Sequence, residues 1–491
     1  MRKKIGFKFA SLSVSTLDGK ELEPRLQNLI CEYMDAMRSC DPGDALDLVV
    51  FMTYCSYISR NADDLGLCAF DSSYSIDEVT EALGNKYLAS DFIEYYAGLC
   101  TQNASFPDLR GVELHAPDLS RAISNWTEAL EASGLSLMEN SESKTATTIW
   151  TVLANLLTSG TWGKHGSEAS SPLQIADLVT RLANVKGKTV LDFACGDGIY
   201  LSTSLSKGAS AIYGRDINSQ AVMRAKVVCF FADTSKAHDI ANTSALLSAS
   251  VSSPAQRVFV APPLGMRLKD SDIQEKEYYA DTMAAVMGNV AQLPATMEDF
   301  CIAKALTSLT DDGIAVLHVS ASFLFHQQKS RQMLRQSLVE GGYLKTVIEL
   351  PGGCVLGTGI KSALLVIAKE PSKEGVFIVD FDSKELTDKA YVDKGRGHCA
   401  ITEAGISWLV ETVDKRSEIP FVSTAVPQDE ILASGSNLCY STYGDVFDNE
   451  SILDKTRSSA DIKKDIQAAQ TNIKTLGTQI TDILNAIEKE D

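Results

Sequence analysis

The chain has 491 residues, 45% of them hydrophobic and 22% charged, an ordinary globular balance with length enough for two to four structural units. A formal net charge of −19 is the opposite of the Lys/Arg surface that phosphate binding needs. Either the acidity keeps the chain soluble, or affinity for nucleic acid is supplied by a partner. Eleven cysteines are scattered singly, with no CxxC pair and no Cys/His cluster at metal spacing, which fits a reducing cytoplasmic setting better than a disulfide framework or a zinc site.

In chain order, the opening MRKKIGFKFASLSVS is basic, but Lys8 interrupts its short apolar run, so no secretory signal is expected. No stretch of about 18 uncharged apolar residues occurs, so no membrane span is expected either. Residues 1–160 read as a helical domain. LQNLICEYMDAMRS has helical apolar spacing, and DALDLVVFMTYCSYISR is apolar nearly all round, which predicts burial in a bundle. No catalytic constellation is visible there, and the region is expected to serve packing and docking.

From 161 to 384 short β-branched runs alternate with amphipathic segments. The strands are expected at 189–194, 211–216, 258–261, 314–320, 345–351, 363–369 and 376–381, and helices at 217–231, 297–309 and 329–340. This alternation predicts an α/β domain with a largely parallel sheet covered on both faces. The last two strands, separated only by EPSKEG, are expected to form a hairpin at the sheet edge. Residues 385–450 form a mixed, turn-rich connection. In 451–491, Ile462, Ile466, Ala469, Ile473, Leu476, Ile480, Ile483 and Ile487 recur in steps of four and three, the seam of a coiled-coil helix. Such a seam packs either on the chain's own N-terminal bundle or on a helix of another subunit.

The strongest local signal is TVLDFACGDG (189–198), a strand running into a glycine loop with a helix expected after it. Gly196 and Gly198 let the backbone approach a ligand closely, and Asp192 ends the strand where open α/β sheets bind ligands. The next strand ends in Asp216, placed to accept both hydroxyl hydrogens of a ribose. A dinucleotide fingerprint would need a third glycine where Leu201 stands, so the loop fits a nucleoside pocket of the class I methyltransferase kind better than an NAD site.

These residues resemble the methylation subunits of type I restriction-modification systems, which are N6-adenine DNA methyltransferases. The family's G-E-x-x-T/S-P segment is matched by GSEASSP (166–172), with Ser171 and Pro172 at the Thr-Pro position. Its D-P-A-C-G-T-G is matched by Asp192–Gly198 except at Phe193 and Asp197, and its G-x-E/D-I-N by Gly214–Asn218. RQSL (335–338), VIELP (347–351), GTGIKSALLVI (357–367) and VPQDEILASGSNLCYSTY (426–443) follow in the family's order. The resemblance implies a Rossmann-like, S-adenosylmethionine-dependent methyltransferase domain between an N-terminal helical domain and a C-terminal coiled-coil helix. It implies S-adenosyl-L-methionine as cofactor, held by Ser171, Asp192, Cys195, Gly196, Gly198, Asp216 and Asn218. Cys195 also reads as a small residue packed under the loop, and Asn218 as a helix cap. The family's acid before its fourth strand has no counterpart in HDIANTSAL (238–246), which offers Asn242 and Thr243. Implied partners are double-stranded DNA, a specificity subunit reached through the C-terminal helix, and a restriction nuclease subunit, with no metal and no membrane.

The family's catalytic N/D/S-P-P-F/Y/W stands here as Ala261-Pro262-Pro263-Leu264, followed by Gly265. In the family the target adenine is flipped from the duplex. The first side chain and the first proline carbonyl accept hydrogen bonds from its amine, and the aromatic residue stacks on its ring. Alanine has no acceptor and leucine no π-face, whereas the Pro262 carbonyl is retained. Three readings follow: a divergent methylase in which another polar group, such as His318 or Ser320, substitutes; a catalytically impaired scaffold or DNA-binding subunit; or a methylase of a different acceptor.

Overall fold

The computed structural model describes residues 19–37, 40–60, 94, 96–101, 104–115, 119–132, 142–158, 171–251, 253–288, 296–354, 360–386, 390–393 and 399–444. The heptad seam expected at 462–487 lies outside the described residues. Among these residues no helix is long and apolar enough to cross a membrane, and no group of three or more His, Cys, Asp or Glu is placed to hold a metal ion.

Before residue 160, the described residues form the helices α1 (Gly19–Ala36), α2 (Pro42–Arg60), α3 (Leu119–Ala132) and α4 (Glu142–Thr158). Asp44 lies in the first turn of α2, where the helix dipole favours an acid. As its all-round apolar sequence predicts, α2 is buried along its length, from Leu46 through Val50 and Tyr54 to Ile58. Trp126 of α3 donates from Nε1 to Ser56 Oγ of α2 at 2.8 Å and meets the Tyr33 ring of α1 edge-on at 5.1 Å, so one aromatic side chain joins three helices.

The α/β region begins with α5 (Leu173–Leu182), β1 (Thr189–Asp192), α6 (Ile199–Ser206), β2 (Ala211–Asp216), α7 (Ser219–Ala232), β3 (Asp239–Asn242) and β4 (Ala255–Val260). Then come α8 (Lys276–Met287), α9 (Met297–Thr307), β5 (Leu309–Ser320), α10 (Ser322–Phe325), α11 (Lys329–Glu340), β6 (Leu344–Leu350), β7 (Ser362–Ala368) and β8 (Val376–Asp380). The described chain closes with β9 (Tyr391–Asp393), β10 (Cys399–Ile401), α12 (Glu403–Lys415), β11 (Ser423–Val426) and α13 (Gln428–Ala433). Nine strands form one sheet in the order β11-β8-β6-β7-β5-β4-β1-β2-β3, and β9 and β10 pair separately. Apolar side chains of α2, α5, α6 and α7 cover one face, and those of α8, α9 and α11 the other, the doubly wound arrangement that the alternating sequence predicts.

The expected hairpin between the strands at 363–369 and 376–381 is not formed. β7 is wedged antiparallel between β5 and β6, and β8 pairs with β6, in parallel. Both edges of β7 are therefore taken, so the connector EPSKEG passes the end of β6 as the chain reverses. Two strand spacings are only about 10 Å, well within the reach of six residues. The turn-rich region after 385 also contributes to the sheet, since β11 pairs antiparallel with β8 at its edge.

Candidate active site

β1 lies between β2 and β4, so the loops leaving these three strands share the carboxyl edge of the sheet. After β1 the chain turns through Gly196 (φ 50°) and Gly198 (φ 74°) into α6. Gly198 is required twice over: its φ is left-handed, and a Cβ there would lie 2.8 Å from Ala225 Cβ and 3.0 Å from Ala225 Cα of α7. The loop is tied to β2 by Cys195 N donating to Arg215 O at 2.9 Å and by Gly196 N donating to an Asp216 carboxylate oxygen at 2.8 Å. The other Asp216 oxygen accepts from Asn218 N at 2.8 Å. The Ile217 N–H also bonds to this carboxylate, so three backbone donors hold Asp216 at the end of β2. Burial raises its pKa.

Asp192 is buried and accepts a hydrogen bond from Ala194 N at 3.0 Å. No basic side chain pairs with it among the described residues, and burial, with the Asp216 charge adding to it, pushes its pKa up to about 8. The buried Tyr200 hydroxyl lies beside the Ser171 hydroxyl and near the Asp192 carboxyl. A buried acid lacking a counter-ion next to these hydroxyls is a set suited to a ligand carrying both a cationic amine and polar groups. Ser171 is half-buried just before α5. Cys195 is buried under the loop, and burial raises its thiol well above the ordinary range, so it packs as a small apolar group. Asn218 caps α7, its Oδ1 accepting from Gln220 N at 3.0 Å and Ala221 N at 3.2 Å.

Both departures from the glycine-loop pattern have internal partners. The buried Phe193 ring lies 5.1 Å from the Lys304 ammonium of α9. Asp197, fully buried, accepts from Arg224 Nε of α7 at 2.8 Å, and the same guanidinium pairs through Nη1 with Asp47 of α2. At the end of β3, Asn242 Nδ2 donates to the Asp216 and Ile217 carbonyls at 2.9 and 2.8 Å. This holds Ile217, 76% exposed, out from the strand end beside the loop.

The paired prolines stand on the neighbouring strand. Ala261 is half-buried on the Phe259 side of β4, Pro262 is buried, Pro263 is exposed and Leu264 half-buried. Gly265 (φ 69°) closes the turn, and its N–H donates to Glu298 Oε2 at 3.2 Å. Glu298, fully buried on α9, also accepts from Ser320 N at 2.6 Å, from Ser320 Oγ at 3.1 Å and from Arg331 at 2.8 Å. One carboxylate therefore pins the turns after β4 and β5 together. Arg331 is in turn paired with Asp299 at 3.0 Å. Of the two polar groups weighed as substitutes for the missing acceptor, Ser320 is engaged with Glu298 and with Ser322 Oγ at 2.8 Å. His318 is buried, its Nε2 is bonded to Ser362 Oγ at 2.9 Å, and burial lowers its pKa to about 4, so it is neutral at neutral pH.

Sequence reading missed Asp47, Arg224, Glu298 and Arg331. The residue type at Asp197 was a signal for the first pair, and the acidic pair opening α9 a signal for the second.

Residues 154–451 match the N-6 DNA methylase family over most of this α/β region. The chain belongs to that family. The methylase subunit of the type I restriction enzyme MpnII of Mycoplasma pneumoniae is 23% identical over 352 residues, 66% of this chain. The match spans 61% of that relative's length. Among solved structures, the methyltransferase subunit of a type I restriction-modification system from Streptococcus thermophilus superposes with a TM-score of 0.69 at 16% identity, covering 87% of this chain and all of that one. A chain from a structural study of type I system assembly and conformational transition gives 0.63 at 14% identity, covering 96% and 99%. The fold is thus that of these methyltransferase structures.

Proposed function

We propose that this chain is the DNA adenine-N6 methyltransferase subunit of a type I-like restriction-modification system. The observation that carries the reading is the juxtaposition of two built turns on adjacent strands: the Gly196–Gly198 loop after β1 and the Pro262–Pro263 turn after β4, the latter fixed by Glu298. Ser171, Asp192, Cys195, Gly196, Gly198, Asp216 and Asn218 line the cofactor end. Asp216 would accept from the ribose hydroxyls, Asp192 would face the cationic amine, and Ile217 would offer an apolar side to the adenine ring. Bound S-adenosyl-L-methionine would supply a sulfonium methyl that the lone pair of an adenine N6 attacks, the nitrogen giving up a proton. At the acceptor end the Pro262 carbonyl would accept one amine hydrogen and orient that lone pair, and Leu264 would give the flipped base apolar contact. Sequence choice in double-stranded DNA would come from a specificity subunit docked on the C-terminal heptad seam, in keeping with the net charge of −19. A restriction nuclease subunit would be a further partner.

A second reading, a catalytically impaired subunit that binds cofactor or DNA, is favoured by Ala261 and Leu264, which offer neither an acceptor nor a π-face. Ala261→Asn separates the two. A positioned acceptor contributes about 2.7–4 kcal/mol to the transition state, so this change should raise tritium-methyl transfer to DNA, measured with a cognate specificity subunit, by roughly 10²–10³-fold. A folded Ala261→Asn protein that binds cofactor and transfers no faster than an inactive wild type would exclude the methylase reading.

A further inference from the structure

The N-terminal helices read from sequence as a packing module, yet one of their side chains reaches the cofactor loop. Asp47 is a buried acid in the middle of the apolar helix α2, 3% exposed. Its partner is Arg224 Nη1, 177 positions away on α7, and Arg224 Nε holds Asp197 at 2.8 Å between the two left-handed glycines of the loop. All three side chains are buried. The planar guanidinium fork has a fixed geometry, so the position of Asp47 constrains that of Asp197. α2 is itself seated on α7, with Tyr54 and Tyr57 edge-on to the Phe230 ring at 5.6 and 6.1 Å, and Tyr57 edge-on to Phe231 at 5.2 Å. If cohesion between α2 and α7 were the only purpose, these aromatic contacts would suffice and an apolar residue at 47 would pack there without desolvating a charge. A single cation shared between α2 and the glycine loop makes sense when the loop is what has to be held.

We propose that Asp47, acting through Arg224, is a positioning residue for the cofactor loop, so that docking of the N-terminal helices and occupancy of the methyl-donor pocket are coupled. The inference rests on the reading of that pocket given above. Coupling is reciprocal: a ligand that needs the ordered loop must in turn strengthen the seating of α2.

The test compares the full chain with Asp47→Ala, with Asp47→Asn, which keeps an acceptor for Arg224, and with Phe51→Leu, a change on the buried face of α2 outside the triad. Isothermal titration with S-adenosylmethionine should give a Kd raised at least tenfold in Asp47→Ala and partly restored in Asp47→Asn. In Phe51→Leu it should stay within twofold of wild type although the Tm falls. Hydrogen exchange without cofactor should accelerate at the Gly196 and Gly198 amides in Asp47→Ala only. With cofactor, exchange across residues 44–58 should slow in wild type and not in Asp47→Ala. A folded Asp47→Ala protein with wild-type Kd and wild-type loop exchange overturns the inference. A wild-type chain that binds no S-adenosylmethionine defeats the reading of the pocket instead, and loop exchange then decides whether Asp47 positions the loop.

Discussion

Asp192 gives a prediction that does not depend on turnover. With its carboxyl raised to about 8 by burial and by the Asp216 charge, about nine-tenths of the ligand-free protein carries a proton there at pH 7. A cationic amine brought beside the carboxyl favours its charged form and lowers the pKa. Binding of S-adenosylmethionine at pH 7 should therefore release up to about 0.9 proton from this site. The assay is titration calorimetry in buffers of low and high ionisation enthalpy, where the slope of observed enthalpy against buffer enthalpy counts the protons. Asp192→Asn keeps an acceptor for Ala194 N and cannot titrate. The sign for stability runs the other way. A native pKa above the ordinary carboxyl value means that the native state binds more protons, so the Asp192 contribution to stability falls as pH rises from about 4 to about 8. Equal slopes for wild type and Asp192→Asn would refute the placement of the cofactor's cation at Asp192.

Gly198→Ala forces a left-handed alanine, on the order of 1–2 kcal/mol, against the backbone of α7 at 3.0 Å, which has no room to yield; titration with S-adenosylmethionine should give at least a tenfold weaker Kd. Arg331→Ala strips the cation from the buried Glu298 and Asp299 and should cost about 3–5 kcal/mol in urea unfolding. Part of that loss should return as pH is lowered, because an unpaired buried carboxyl binds its proton more readily in the native state.

How much could be read in advance followed from how local each signal is. β1 and β2 were legible because their apolar runs are bounded by turn residues, and the paired prolines marked the exit of β4 whatever flanked them. Helix α6 was legible only as the helix that must follow the glycine loop, since IYLSTSLS itself carries hydroxyls that suit turns. In the fold Ser204 Oγ bonds back to the Tyr200 carbonyl at 2.7 Å and Ser202 Oγ to that of Ile199 at 3.3 Å, which hides their polarity inside a buried helix. β3, only four residues amid polar sequence, lacks the length to register. The hairpin expectation failed because a short connector fixes how far the chain travels, and not which strand already occupies the adjacent place. The site divided along the same line. Asp192, Gly196, Gly198 and Asp216 are close in sequence and stood out, whereas Asp47 and Arg224, or Glu298 and Ser320, meet only after folding.

The wedging of β7 also bears on how the chain is made. β5 and β6 both need β7 as a neighbour, yet it is the last of the three to leave the ribosome. Until residue 368 has emerged, the edge of β5 that β7 will cover and the facing edge of β6 are two open rows of peptide groups on strongly apolar strands. Such edges recruit other nascent chains. Fragments ending between 351 and 361 should therefore aggregate even though they contain both turns of the candidate site, and any split of this protein for reassembly belongs on the N-terminal side of β5 or beyond β8.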